Sequence, residues 1–153
     1  MVRLAIFNIL GEKIKGAIVA DIFAGSGSLG LEALSRGAKF CDFADFHPKS
    51  QEAIEKTLAI VGLKERARFF QRTAIRFLDE RPRNHYDIII LDPPYSLTSV
   101  VYTLNLCGEC LKPGGVVVFE HSDKFHPQKE YDTLVAANER KYGGTVVTFL
   151  TKK

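Results

Sequence analysis

The chain has no tryptophan, a single methionine and three cysteines. A small, odd cysteine count excludes a disulfide-stapled secreted scaffold and suits a reducing compartment. No apolar run approaches the roughly 20 residues of a membrane span, so the expected protein is cytoplasmic, with no membrane partner. The apolar start, M-V-R-L-A-I-F-N-I-L, lacks a small-residue cleavage site and does not read as a secretory leader. Repeats, low-complexity tracts and long linkers are missing. Charge of one sign is not concentrated either: the net charge is +3 over 153 residues. That balance permits a nucleic-acid partner without requiring one. His85, His121 and His126 show no triad or metal-ligand spacing and read as ordinary residues. Cys107 and Cys110 form C-G-E-C, but no second pair follows, so they read as core cysteines rather than a metal or redox site.

What is present is an alternation of extended and helical segments in a chain sized for one domain, residues 1–153. Apolar residues at 2, 4, 6, 7, 9 and 10 predict an N-terminal helix ending near Gly11. Strands are predicted at 17–21, 40–46, 66–71, 86–92 and 115–121, of which Y-D-I-I-I-L-D is the strongest. Helices are predicted at 27–36, at 48–61 with Pro48 in the first turn and Gly62 as the stop, through Leu78, and at 98–111. The last helix stops at Lys112-Pro113-Gly114-Gly115. Segments 134–142 and 145–151 flank Gly143-Gly144 and read as a hairpin. The predicted fold is therefore α/β and Rossmann-like. It has a mostly parallel seven-stranded sheet, helices on both faces and a C-terminal antiparallel hairpin. In such sheets ligands sit beyond the carboxyl ends of the strands, where strand order reverses. Asp21, Asp45, the residues after Gln71, and Asp92 occupy those ends.

D-I-F-A-G-S-G-S-L-G at 21–30 contains G-x-G-x-x-G in Gly25, Gly27 and Gly30, and Asp45 follows at the spacing of a ribose contact. A dinucleotide would bring a pyrophosphate to this loop. Asp21, four residues before Gly25, would then repel it by about 4 kcal/mol per charge pair at ~4 Å and an effective dielectric of 20. A ligand with a positive group fits better, and S-adenosylmethionine has a sulfonium, an ammonium and no phosphate. Asp21 would organise hydrogen bonds around the loop or the ammonium, and Asp45 would accept from the ribose.

L-D-P-P-Y at 91–95 follows the strongest strand. Two prolines remove N–H donors and stiffen the loop, leaving its carbonyls free. An exocyclic base amine is a poor nucleophile because its lone pair is delocalised into the ring. Two acceptors for its protons, the Asp92 carboxylate and the Pro93 carbonyl, favour the geometry that localises the pair. Tyr95 would stack on the base and hold the amine in line with the methyl group, the base being splayed from its stack.

The chain resembles the bacterial 16S ribosomal RNA guanine-N2 methyltransferases, within the class I S-adenosylmethionine-dependent methyltransferases. V-R-L-A-I-F-N-I-L, D-I-F-A-G-S-G-S-L-G-L-E-A-L-S-R-G-A, L-D-P-P-Y and K-Y-G-G-T carry the likeness over almost the whole chain. The resemblance implies cofactor contacts from Asp21, Phe23, Ala24, Gly25, Ser26 and Gly27, from Asp45 and Phe46, from Thr73 and Ala74, and from Asp92. It places Phe7 and Asn8 over the cofactor pocket and gives Asp92, Pro93, Pro94 and Tyr95 the catalytic role. It implies a monomer that uses S-adenosylmethionine without a metal and acts on ribosomal RNA, the small subunit or an assembly intermediate.

The departures are specific. His47 stands where the family has Asp or Asn, and Thr73 where an Asp precedes the alanine. The family's basic arm ahead of V-R is not seen here. Arg72 and Arg76 are candidate phosphate contacts. Two rival functions share these motifs: N6-adenine methylation of DNA or RNA, and a catalytically silent RNA-binding or assembly module.

Overall fold

The computed structural model describes residues 2–94 and 97–153. Strands β1 (Ile18–Ile22), β2 (Phe40–Ala44), β3 (Ala67–Phe70), β4 (Tyr86–Leu91), β5 (Leu111–Ser122), β6 (Leu134–Tyr142) and β7 (Thr145–Lys152) form one sheet. Its order is β3-β2-β1-β4-β5-β7-β6. The first five strands run parallel, while β7 pairs antiparallel with both β5 and β6. Order reverses between β1 and β4, so a crevice opens beyond their carboxyl ends.

The central strands are apolar throughout because both faces are covered. On one face Val19, Ile88, Ile90 and Val118 pack with Ile6, Phe7 and Leu10 of α1 (Val2–Leu10). They also meet Ala33 and Leu34 of α2 (Ser28–Ser35) and Ile54 and Leu58 of α3 (Pro48–Val61). On the other, Ile22, Ile89, Leu91 and Phe119 meet Phe77 and Leu78 of α4 (Ala74–Asp79) and Leu104 and Cys107 of α5 (Val100–Cys110). Each such side chain contributes roughly 1.5–3 kcal/mol on burial.

The expected elements are all present, and the differences lie at their ends. β2 stops at Ala44 and β4 at Leu91, so Asp45 and Asp92 stand just outside the ladder, at the carboxyl ends of their strands. Lys112–Gly115, expected to end the helix, instead lies within β5: α5 stops at Cys110 and the chain enters the sheet at Leu111. Leu111 pairs with Tyr86, and a register shift absorbs the glycines before Val116 pairs with Ile88. Cys41, Cys107 and Cys110 are free and buried. Burial pushes their thiols up, which leaves them unreactive core residues. Among the described residues no helix is long and apolar enough to cross a membrane.

Candidate active site

Beyond β1 the backbone makes a tight turn with Phe23 at φ 59°, Gly25 at φ 57° and Gly27 at φ 77° before α2 begins at Ser28. A phenylalanine in the left-handed region costs roughly 1–2 kcal/mol, and such strain clusters at ligand sites. Gly27 has no side chain with which to cap α2. Asp21 supplies the missing acceptor from the strand: its Oδ2 accepts from the Gly30 N–H at 2.9 Å. Gly30 serves close packing, since a Cβ there would collide with the Phe43 ring and lie 2.9 Å from Cys41 Sγ.

Asp45 holds the turn from the other side. Its Oδ2 accepts from Gly25 N–H at 2.9 Å and its Oδ1 from His47 N–H at 2.9 Å. The Ser50 hydroxyl donates to the Gly25 carbonyl. Each Asp45 oxygen keeps a lone pair for a ligand hydroxyl.

A cavity of about 870 Å³ lies at the carboxyl end of the sheet. Phe23, Asp45 and Phe46 line it beside β1 and β2, and Phe46 is 62% exposed, an unusual position for a ring with no contact to fill. Arg72, Thr73 and Ala74 line it beside β3. Thr73 caps α4 by accepting from Arg76 N–H at 3.3 Å, which fixes this wall. Asp92, Pro93 and Pro94 close it at the end of β4, and Glu120 and His121 at the end of β5.

The electrostatics of this region are one-sided. Burial pushes the Asp21 carboxyl up to about 8 against the opposing Gly30 N–H, with Asp92 and Asp45 adding to the rise. Burial also raises Asp92, and it takes Glu120 to about 7 with help from the Asp92 charge. Among the described residues no lysine or arginine pairs with Asp21, Asp45, Asp92 or Glu120. The ion pairs lie elsewhere. Arg72 and Arg76, the candidate phosphate contacts, both turn to Glu80, at 3.3 and 3.6 Å. An anionic cavity on a chain of net charge +3 suits a cationic, phosphate-free ligand.

Several expected site residues stand elsewhere. Phe7 is 2% exposed, packed in the core with the Arg36 guanidinium 5.3 Å from its ring centre. Asn8 points to solvent, and neither residue lines the cavity, because the helical period turns Ile6, Phe7 and Leu10 onto the sheet. Asp21, Ala24, Gly25, Ser26 and Gly27 shape the turn without lining the cavity. Tyr95 lies outside the described residues.

Among the wall residues not foreseen, two carry titratable groups, Glu120 and His121. Glu120 could have been found as a lone charge at the end of the apolar strand G-V-V-V-F-E-H. His121, read from the sequence as ordinary, lines the cavity and is nearly buried. Its Nδ1–H donates to the Ser122 carbonyl at 2.8 Å, which leaves Nε2 to accept from the Thr148 hydroxyl at 2.7 Å. Burial lowers its pKa, so it stands as a neutral ring with no spare donor.

Comparison with known proteins places this geometry. The family described as conserved hypothetical protein 95 matches residues 1–151. A Bacillus subtilis protein, YlbH, provisionally named an rRNA methyltransferase, is 33% identical over 99% of this chain and 85% of its own. Ribosomal RNA small subunit methyltransferase D of Haemophilus influenzae is 34% identical over 78% of this chain and 64% of its own length, so the match leaves a third of that relative uncovered. A solved Escherichia coli structure, provisionally named methyltransferase yhhF, superposes with a TM-score of 0.90 at 27% identity, over 99% of this chain and 86% of that one. The fold is the Rossmann-like fold of class I methyltransferases.

Proposed function

The chain belongs to the conserved hypothetical protein 95 family, and from that premise we propose an S-adenosylmethionine-dependent methyltransferase. Its substrate is the exocyclic N2 amine of a guanine in small-subunit ribosomal RNA. The observation that carries the reading is the set of carboxylates around the cavity, Asp45, Asp92 and Glu120, which among the described residues have no lysine or arginine partner, with Asp21 buried behind them. Such a set is costly unless a cation arrives. When bound, the cofactor supplies an electrophilic methyl group on a positively charged sulfur.

The residues then have separable tasks. Asp45 accepts from ribose hydroxyls, and the exposed Phe46 ring offers a face to the adenine. Asp21 fixes the turn through Gly30 and lends its charge to the cation from behind the loop. Asp92 and the Pro93 carbonyl accept the protons of the target amine. Asp92, raised by burial, is suited to take the proton that the amine gives up. Tyr95 stacks on the base. The RNA class follows from the relatives' names, YlbH and methyltransferase D.

The test is to incubate the protein with labelled cofactor and either unmodified ribosomal RNA or DNA, and to identify the product nucleoside. N2-methylguanosine from the RNA is expected. N6-methyladenine as the sole product, or bound cofactor with no transfer, would overturn the proposal. Asp92→Ala should lower turnover by at least about 100-fold with cofactor affinity largely kept; unchanged turnover refutes the role of Asp92.

A further inference from the structure

The Asp92–Pro94 loop explains why an amine is held, but it does not distinguish one purine amine from another. We propose that Glu120 reads the base itself, accepting the N1–H of guanine, and that this carboxylate makes the site select guanine over adenine. The inference rests on the proposed methylation of a purine amine.

Three observations support it. First, β4 and β5 are parallel, with Leu91 paired to Phe119. Asp92, the first residue past β4, and Glu120 of β5 therefore each follow directly on that last pair, where neighbouring strands lie roughly 5 Å apart, and both line the cavity. Second, Glu120 is half-buried, and among the described residues it has no hydrogen-bond or ion-pair partner. The charge that acts on it is Asp92. Third, two adjacent carboxylates repel each other but complement two adjacent donors.

Guanine offers such donors: N1–H and N2–H lie side by side on one edge. Adenine puts the lone pair of N1 beside its N6 amine. An ionised carboxylate only accepts, so it pairs with the guanine edge and confronts adenine with an acceptor. A site built to receive a donor rejects the analogue that lacks it, because its own polar group is left unpaired.

The test compares a methylatable RNA with the same RNA carrying 2-aminopurine at the target, which keeps the 2-amine and lacks N1–H. Wild-type kcat/KM should fall about 100-fold on the analogue. Glu120→Gln should lose guanine turnover and narrow the analogue's penalty to within about threefold, since its amide can donate to N1. Glu120→Asp should keep part of the preference. Cofactor affinity, read by calorimetry, should fall far less in E120Q than guanine turnover does. Equal analogue penalties in wild type and E120Q, on an enzyme that forms N2-methylguanosine, would overturn this assignment alone. So would wild-type turnover of the analogue within about threefold of guanine, which needs no variant. N6-methyladenine as the product would overturn the reading of function as well.

Discussion

Asp21 does two things that pull in opposite directions. It caps α2 through Gly30, which needs only an acceptor, and it holds a buried charge against Asp92 and Asp45, which costs stability until a cation binds. Asp21→Asn separates the two, because an amide oxygen still accepts from Gly30 while the charge is gone. The folded carboxyl titrates at about 8 instead of 3.8. The wild-type protein therefore loses stability as pH rises through that range. Without cofactor, D21N should melt higher than wild type at pH 9, by about 2–4 °C per kcal/mol regained, and match it near pH 4. Its cofactor affinity should fall by at least about tenfold, or 1.4 kcal/mol. A lower melting temperature at both pH values would show that the carboxylate is needed for the cap itself. Asp45 has no such conflict: both its oxygens hold the turn and both keep a lone pair exposed.

At the scale of elements, the site depends on how closely α2 approaches β2. Gly30 sits against Phe43 and Cys41 with no space for a methyl group. At an exposed helix position Gly→Ala gains up to about 1 kcal/mol. Gly30→Ala should instead lose about 1–3 kcal/mol through overpacking. It should also weaken cofactor binding by moving the helix off Asp21. Urea unfolding measures the first effect and calorimetry the second; a stabilised variant would show that helix and strand have room to spare. This element was readable in the sequence as a glycine-rich turn, but the glycines were not equivalent. Gly25 serves the backbone angle alone, Gly30 serves packing against Phe43 and Cys41, and Gly27 serves both, since a Cβ there would meet Ile54; only the neighbouring strand and helix separate these roles. The same limit applied to α1. Its apolar period was plain in residues 2–10, yet which side chains met the cavity depended on where the sheet lay. Phe7 went to the core and Asn8 to solvent.

For the whole molecule, the reversal of strand order gathers the ends of β1, β2, β4 and β5 into one crevice and brings their acidic residues together. Asp21, Asp92 and Glu120 all have raised pKa values, so the free fold holds protons that the unfolded chain would release. Its stability should decline from about pH 4 to about pH 8 on their account. His121 acts oppositely: its pKa is lowered, and its contribution is lost as pH falls below the ordinary histidine range. Cofactor binding should restore the charged carboxylates, so affinity should rise with pH and protons should be released. Calorimetry in buffers of different ionisation enthalpy reads that release directly. A binding enthalpy independent of buffer would rule out the linkage.

The alternating strands and helices, the hairpin around Gly143-Gly144 and the two acidic loops were determined locally. Apolar period, glycine and proline placement and charge act within a few residues, and those patterns are written in the chain. Which acids face the cavity, and which brace it from behind, was decided by tertiary structure. β1 and β4 are adjacent only through a crossover, and Glu120 reaches the site only because β5 pairs beside β4. Long-range pairing sets a side chain's neighbours, and neighbours set its burial, its charge state and its task.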